Sequence, residues 1–572
     1  RTANSITARY NTRESYRSKD ATKPGTPSEG SFLSTFNTNW TTDNTLTYMK
    51  KTGNHDLNVM AGVSAEQAKQ KIVKLAGTGF PNDYIKTLSA ATSFKVIDDN
   101  GNKLTSTEKI PAHNLLSFLG RINYAFKDRY LVSAAIRADG DSYFGSNNKW
   151  GYFPSVSVGW RVSEENFMKN VQAISALKLR GSFGATGDNS LSANATTNLL
   201  YSALYSFGEG TGTAVPGLAN ISSLIGNPDL GWAKIQEFDF GVDLSLFKNR
   251  INLVFDYYYS TTRDMLFLRT ASSITGHTQY WTNQGKVRNK GIELTLATYN
   301  FTKKNFTWNT SVNFSLNRNR LLDLGGEARM IKEGYSKERY INIVGGPAIQ
   351  FYGYKTDGIW KTQEELDAGP KFSTNIDRVG GLKVVDTYKD GELNDKDMTV
   401  IGNPYPDFTW GITNTFKIWN FDVQILFQGV HGGDVINADA TYKDMQIRNE
   451  KYNIRKRWVS EQHVGDGKTP TTFGVPWINT DYDVEDASYA ALRNVTIGYT
   501  LPQSVSKKLH LKSLRVFVTG NNLLFIMSKS YRGINPEYRN SSSPYNDTLI
   551  SGYQRGSFPM IMTFTAGIDI NF

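Results

Sequence analysis

The chain has 572 residues, 39% of them hydrophobic and 13% aromatic, with 50 glycines and no cysteine. Lysine and arginine outnumber aspartate and glutamate by 64 to 53, a net charge of +11 that is spread along the chain without a basic helix or basic-aromatic module. These totals exclude disulfides, thiolate metal sites and cysteine nucleophiles and argue against nucleic acid as a partner, and the lack of any run of about 18 apolar residues excludes a transmembrane helix.

The opening stretch, RTANSITARYNTRESYRSKD, has neither an initiator methionine nor an apolar h-region, so it reads as mid-protein sequence and the chain as a fragment. From there the pattern has period two. In INLVFDYYY, Ile251, Leu253, Phe255, Tyr257 and Tyr259 share one face. In NFTWNTSVNFSLN the even positions from Phe306 to Leu316 are mostly apolar and the odd positions are asparagine, threonine or serine. At the end, every second residue from Met560 to Phe572 is apolar, and Thr563, Thr565, Gly567, Asp569 and Asn571 lie between. Period two places successive side chains on opposite faces of a sheet.

In chain order, this alternation predicts strands near 3–16, 37–50, 55–68, 113–126, 130–140, 152–162, 176–187, 235–247, 250–263, 289–302, 305–318, 408–418, 420–430, 488–500, 512–523 and 558–572. Short polar turns join some of them, at Lys127 to Arg129, Lys248 to Arg250, Lys303 to Asn305 and near Trp419. Long polar stretches join others, at about 69–112, 188–234, 264–288, 319–407, 431–487 and 524–557. Alternating short and long connections are the signature of an outer-membrane barrel, and with short turns assigned to the periplasm the last strand ends there. The expected fold is all-β: a transmembrane antiparallel up-and-down β-barrel with long extracellular loops and outer-membrane lipid against its apolar face. A soluble sandwich or propeller also alternates, but its strands are usually shorter than these, and no repeat of roughly 40–50 residues marks propeller blades.

Five ordered motifs then point to a family: YFPSVSVGWRVSEENFM (152–168), LKLRGSFGATGDN (177–189), NQGKVRNKGIEL (283–294), FYGYKTDGIW (351–360) and IGNPYPDFTWGITNTF (401–416). With the terminal strand they closely resemble the C-terminal barrel of SusC/RagA-type TonB-dependent outer-membrane transporters of Bacteroidetes. The resemblance implies a 22-stranded barrel, an N-terminal plug, a SusD-like lipoprotein lid and active import powered through TonB. The implied substrates are oligosaccharides or peptides. On this reading residues 1–572 are the C-terminal part of such a barrel, carrying about sixteen of its strands, with plug domain and TonB box outside the chain. The alternatives are a siderophore- or cobalamin-type TonB-dependent receptor, which basic loops would suit, and a surface β-rich glycan-binding protein or adhesin.

Two loop regions carry candidate sites. Phe351, Tyr352, Tyr354 and Trp360 in the longest loop, with Trp477 and Tyr482 in a later one, offer aromatic faces to sugar rings or apolar peptide side chains, or pack within the loop or against the lipoprotein partner. In VVDTYKDGELNDKDM, Asp386, Asp390, Glu392, Asn394 and Asp397 fall at EF-hand-like spacing around Gly391, although Tyr388 occupies position three, where a carboxylate or amide is expected. This segment reads as a structural Ca2+ loop or as an Asp-Gly turn, and no other cofactor is required. Catalysis finds no support: the six histidines are scattered, RGSFGATG lacks nucleophile-elbow spacing, SFGEGTGTAVPG lacks the Lys-Ser/Thr of a phosphate loop, and Glu164 and Glu165 lie in an expected periplasmic turn.

Overall fold

The structure, a computed structural model, describes residues 1–18, 27–85, 87–97, 112–191, 195–196, 201–206, 214–219, 224–272, 274, 277–372, 376–443, 456–471, 477–542, 545 and 547–572. Sixteen long strands occupy the positions the alternation marks. They are β1 (Thr2–Arg17), β2 (Glu29–Thr52), β3 (His55–Thr78), β4 (His113–Phe126), β5 (Tyr130–Asp141), β6 (Trp150–Arg161), β7 (Ile174–Asp188) and β8 (Ala233–Leu246). The others are β9 (Ile251–Arg263), β10 (Lys286–Lys303), β11 (Phe306–Asp323), β12 (Phe408–Ile418), β13 (Phe421–His431), β14 (Tyr489–Thr500), β15 (Ser513–Met527) and β16 (Thr563–Asn571). Among the described residues, these and the short strand Ser93–Ile97 belong to one sheet of seventeen strands. No helix is long and apolar enough to cross a membrane, which says nothing of crossing by strands.

The chain divides into two compact units, one of Arg1–Gly159, Ser182–Gln236 and Thr262–Gln284, the other of Trp160–Gly181, Glu237–Thr261 and Gly285–Phe572. In the second unit β11 to β16 pair antiparallel in sequence order, and their register sorts side chains by row. One row runs Trp308, Phe416, Val423, Ile497, Val518, Ala566. The adjacent row, one residue along each strand, runs Asn309, Thr415, Gln424, Thr496, Thr519, Thr565. Paired residues share a face and successive residues do not, so one face is apolar across six strands and the other polar. The apolar face is open: Ile497, Val518, Phe564 and Ile568 are 50% to 69% exposed. The polar face holds ion pairs, Arg515 meeting Asp422 at 2.6 Å and Asp569 at 2.9 Å.

The first unit repeats this arrangement. Tyr48, Val59, Ile122 and Ala134 form one row, and Asp43, Ser64, Ser117 and Asp139 form a row on the opposite face. Here β2 and β3 are 24 residues long, well beyond the expected 37–50 and 55–68. A bilayer is crossed by about 9–11 strand residues, so this hairpin continues past the hydrocarbon. Gln67, Lys69 and Lys71 then occupy the face that is apolar lower down, which erases the sequence signal while the ladder of hydrogen bonds goes on.

Tight turns close one end of the sheet. Lys127 and Asp128, then Phe247, Lys248 and Asn249, and Trp419 all have positive φ, between 51° and 64°. Non-glycine residues held there mark chain reversals with no room for a longer loop. At the other end lie the long connections, and these fold.

Candidate functional site

The connections that follow β11, β13 and β15 build one folded body within the second unit. The first contributes a four-stranded sheet of Arg329–Glu333, Arg339–Ile343, Gln350–Gly353 and Thr399–Gly402, a two-stranded pair Thr356–Ile359 and Leu382–Val384, and the helix Gln363–Ala368. All three connections supply strands to a second sheet, or side chains to a shared core. Asp434–Asn437 pairs with Val484–Asp486 on one side and with Tyr553–Gln554 on the other. Tyr340, Ile349 and Phe351 of the first connection pack with Ile436 of the second and Tyr545, Ile550 and Tyr553 of the third.

Buried polar contacts fasten the three together. The Lys337 ammonium lies 2.6 Å from the Asp483 carboxylate, with only 8% and 0% of the two side chains exposed. Glu338, also buried, accepts a hydrogen bond from the Tyr545 hydroxyl, and burial with this bond pushes the phenol far above its ordinary pKa. Glu485 accepts from Asn437 Nδ2 at 2.7 Å and from the Arg532 backbone N–H at 2.8 Å, and also pairs with the Arg532 guanidinium. The Tyr354 N–H donates to the Asn479 carbonyl at 2.9 Å, and Tyr354 returns its own carbonyl to the Asp481 N–H at 3.0 Å. Each buried charge has a partner, as removal from water demands. These six residues, Lys337, Glu338, Asp483, Glu485, Arg532 and Tyr545, carry no sequence signal, because their partners lie between 47 and 207 residues away.

The aromatic candidates divide. Phe351, Tyr352, Tyr354 and Trp360 are between 0% and 9% exposed and pack inside this body, so as placed their ring faces are closed to a ligand. Trp360 is covered by the helix end, where a Cβ on Gly369 would sit 2.1 Å from its ring. Trp477 is 50% exposed with the Lys337 ammonium 5.8 Å from its ring centre, and Tyr482 is half-buried with the Arg532 guanidinium at 4.4 Å.

The segment read as a calcium loop shows no positive sign of a metal site. Among the described residues no three or more acidic or histidine side chains are arranged to hold a metal. Asp386 turns its oxygens to the N–H groups of Lys389 and Gly391, Asp390 to that of Glu392, and Asp397 to those of Tyr388 and Asn394. Asn394 caps the turn Asp395–Asp397. The Lys396 ammonium sits 3.2 Å from Asp390, and Gly391, at φ +88°, makes the reversal. The carboxylates are thus directed at the backbone, and a lysine supplies the positive charge that an ion would have brought. Asp386 is held below the ordinary carboxylate range, chiefly by the Gly391 N–H.

Where these connections leave the strands, Arg318, Asn319, Asp407, His431, Asp434 and Asp486 line a polar cavity of about 380 Å³. Burial pushes the Asp434 carboxyl up.

An open apolar face, a polar ion-paired face, tight turns at one end and folded loops at the other define an outer-membrane β-barrel fold. The chain belongs to the TonB dependent receptor-like, beta-barrel family, whose model matches residues 2–523. It is 32% identical over 556 residues to TonB-dependent receptor P26 of Formosa agariphila, covering 93% of this chain and 53% of that protein. It is 28% identical over 484 residues to TonB-dependent receptor SusC of Bacteroides thetaiotaomicron, covering 80% and 44%. A solved structure of the RagAB peptide transporter superposes with a TM-score of 0.78 at 22% identity, over 100% of this chain and 59% of that one. These matches agree with the SusC/RagA resemblance of the motifs. The chain spans about half the length of the curated relatives it matches.

Proposed function

We propose that this chain is barrel wall and outer loops of a TonB-dependent importer that carries oligosaccharides or peptides across the outer membrane. The carrying observation is the joining of two features in one chain: a sheet whose one face suits lipid, and three long connections locked into a single folded body at one end of it. A barrel that only leaked small solutes would have no use for so much ordered loop structure. Loop order of this kind serves recognition of a ligand or of a covering partner. Through its family resemblance the reading includes a SusD-like surface lipoprotein as that partner, a plug, and TonB acting on the plug from the periplasm. It calls for no catalytic group and no bound metal.

The test uses the full-length protein expressed with its neighbouring lipoprotein gene. Outer-membrane fractionation, co-purification in detergent, and uptake of labelled oligosaccharides and peptides in cells with and without TonB are measured together. TonB-dependent uptake of either polymer class supports the reading. Uptake of neither, or uptake indifferent to TonB, overturns it.

A further inference from the structure

The apolar face of β10 and β11 ends abruptly in cations. Register pairs Leu296 with Val312, Leu294 with Phe314 and Ile292 with Leu316 on that face, and the next two pairs along it are Lys290 with Arg318 and Arg288 with Arg320. The opposite face of the same strands carries Thr295 with Asn313, Glu293 with Ser315 and Gly291 with Asn317. The cations therefore stand on the side that meets lipid and not on the polar side. Along β11 the apolar band runs from Trp308 to Leu316, interrupted by Thr310, whose hydroxyl donates to Asn414 Oδ1 at 2.8 Å. About 9–11 strand residues cross a bilayer, and this band has that length, so Lys290 and Arg318 fall where hydrocarbon gives way to headgroups. The long connections leave from this end, which makes it the outer leaflet.

The two pairs are set against their own electrostatics. Directly opposed residues have Cβ atoms about 4.5–5.5 Å apart, and successive pairs on one face follow at about 7 Å, so each positive charge has like neighbours across the ladder and along it. Like charges so placed destabilise a sheet. On the polar face of this unit cations are neutralised: Arg515 lies between Asp422 and Asp569, and Arg180 Nε meets Asp243 at 2.9 Å. Of the four cations here, Arg318 has a carboxylate, Asp407 at 3.2 Å, with both side chains about half exposed. Among the described residues Arg288, Lys290 and Arg320 form no ion pair. Both strands have described neighbours: the Tyr259 ring of β9 lies 5.7 Å from the Arg288 guanidinium, and β12 pairs with β11 on its other side. Lys290, Arg318 and Arg320 are exposed.

Hydration at this depth asks only for polar side chains, and mixed charges would supply it without the repulsion. A concentrated set of exposed cations is matched instead by phosphate, whose oxygens accept from several guanidinium and ammonium donors at once. We propose that Lys290, Arg318 and Arg320, with Arg288 held against Tyr259, bind the phosphate headgroup of an anionic lipid in the outer leaflet. The acyl chains of that lipid then lie along Ile292, Leu294, Phe314 and Leu316. A lipid is the occupant, and not free phosphate, because the cations and the apolar band are continuous in register on one face. The site rests on the barrel fold and stands apart from the import reading.

The test uses full-length protein purified in neutral detergent. The probes are phosphorylated lipid A, the same lipid after removal of its phosphates, and inorganic phosphate, with binding measured by thermophoresis. The phosphorylated lipid is expected to bind roughly tenfold or more tightly than either other probe. Lys290→Gln with Arg320→Gln should weaken it on the order of 30-fold and leave the dephosphorylated lipid unchanged. Lys303→Gln with Lys304→Gln, at the tight-turn end, should change neither. Urea titration supplies a readout that a merely structural role would not give. Without lipid the Lys290→Gln, Arg320→Gln barrel should be at least as stable as the parent, because repulsion is relieved, whereas phosphorylated lipid should stabilise the parent far more than the variant. Heat-modifiable gel mobility confirms folding, and the comparison of the two lipids on the parent needs no variant. Equal binding of the two lipids, inorganic phosphate binding as tightly as the lipid, a phosphate preference that survives the double variant, or a variant destabilised without lipid overturns the inference.

Discussion

Replacing Lys337 by methionine keeps the length of the side chain and removes its charge. Asp483 is then left fully buried with the Lys337 cation gone. Breaking a buried ion pair from one side costs about 3–5 kcal/mol. Lys337 lies in the connection after β11 and Asp483 in the one after β13, so the cost falls on the docking of these connections and not on the sheet. At about 1.4 kcal/mol per decade, even the lower figure raises the population of the opened loop body roughly 150-fold. Hydrogen exchange followed by mass spectrometry reads this directly: amides of 339–343 and 479–486 should lose protection, and those of β14 and β15 should keep it. The double variant Lys337→Met with Asp483→Leu removes both charges and should recover most of the loss. Unchanged protection in the single variant, or a double variant that exchanges at least as fast, would refute the assignment of this pair as a fastener.

Other expectations follow from the same geometry. Val518→Arg, on the apolar face, should destabilise the folded barrel by about 2–4 kcal/mol in urea titrations in lipid, whereas Thr565→Arg on the polar face should cost under about 0.5 kcal/mol. Trp360→Ala should loosen the loop body by about 3–5 kcal/mol by exchange or proteolysis, while Trp477→Ala, half exposed, should leave it ordered and act on ligand or partner binding alone. The Asp386 carboxyl is held below its ordinary value of 3.8, so the order it lends the turn at 386–398 is complete above that pH and is lost as pH falls through the lower folded value, which exchange of the Gly391 amide can follow. Chelation with EDTA should change neither the protease sensitivity of that turn nor its exchange, since its carboxylates are bound to backbone N–H groups.

The strands were legible because lipid makes one demand repeatedly. Every second residue facing hydrocarbon must be apolar, so Trp308, Val312 and Phe314 can be read without knowing their neighbours. The segment 113–126 is bounded in the structure as the alternation marks it, and so is 408–418. The same logic failed beyond the bilayer, where β2 and β3 keep their ladder after Gln67 and Lys69 have replaced the apolar side chains. In the connections no period applies. The length of 319–407 reads as loop, but it holds a sheet and a helix whose cores depend on residues more than a hundred positions away. The Asp386–Asp397 spacing was visible, yet spacing alone does not say whether carboxylates face an ion or the backbone. In the structure these carboxylates reach the nearest N–H groups.

The placement of the aromatics has a consequence for selectivity. Stacking on a sugar ring or an apolar side chain needs an open face, and Phe351, Tyr354 and Trp360 have none, because they hold the loop body together. Trp477 and Tyr482 are less buried, each with a cation lying over its ring. A cation over the ring fixes its orientation.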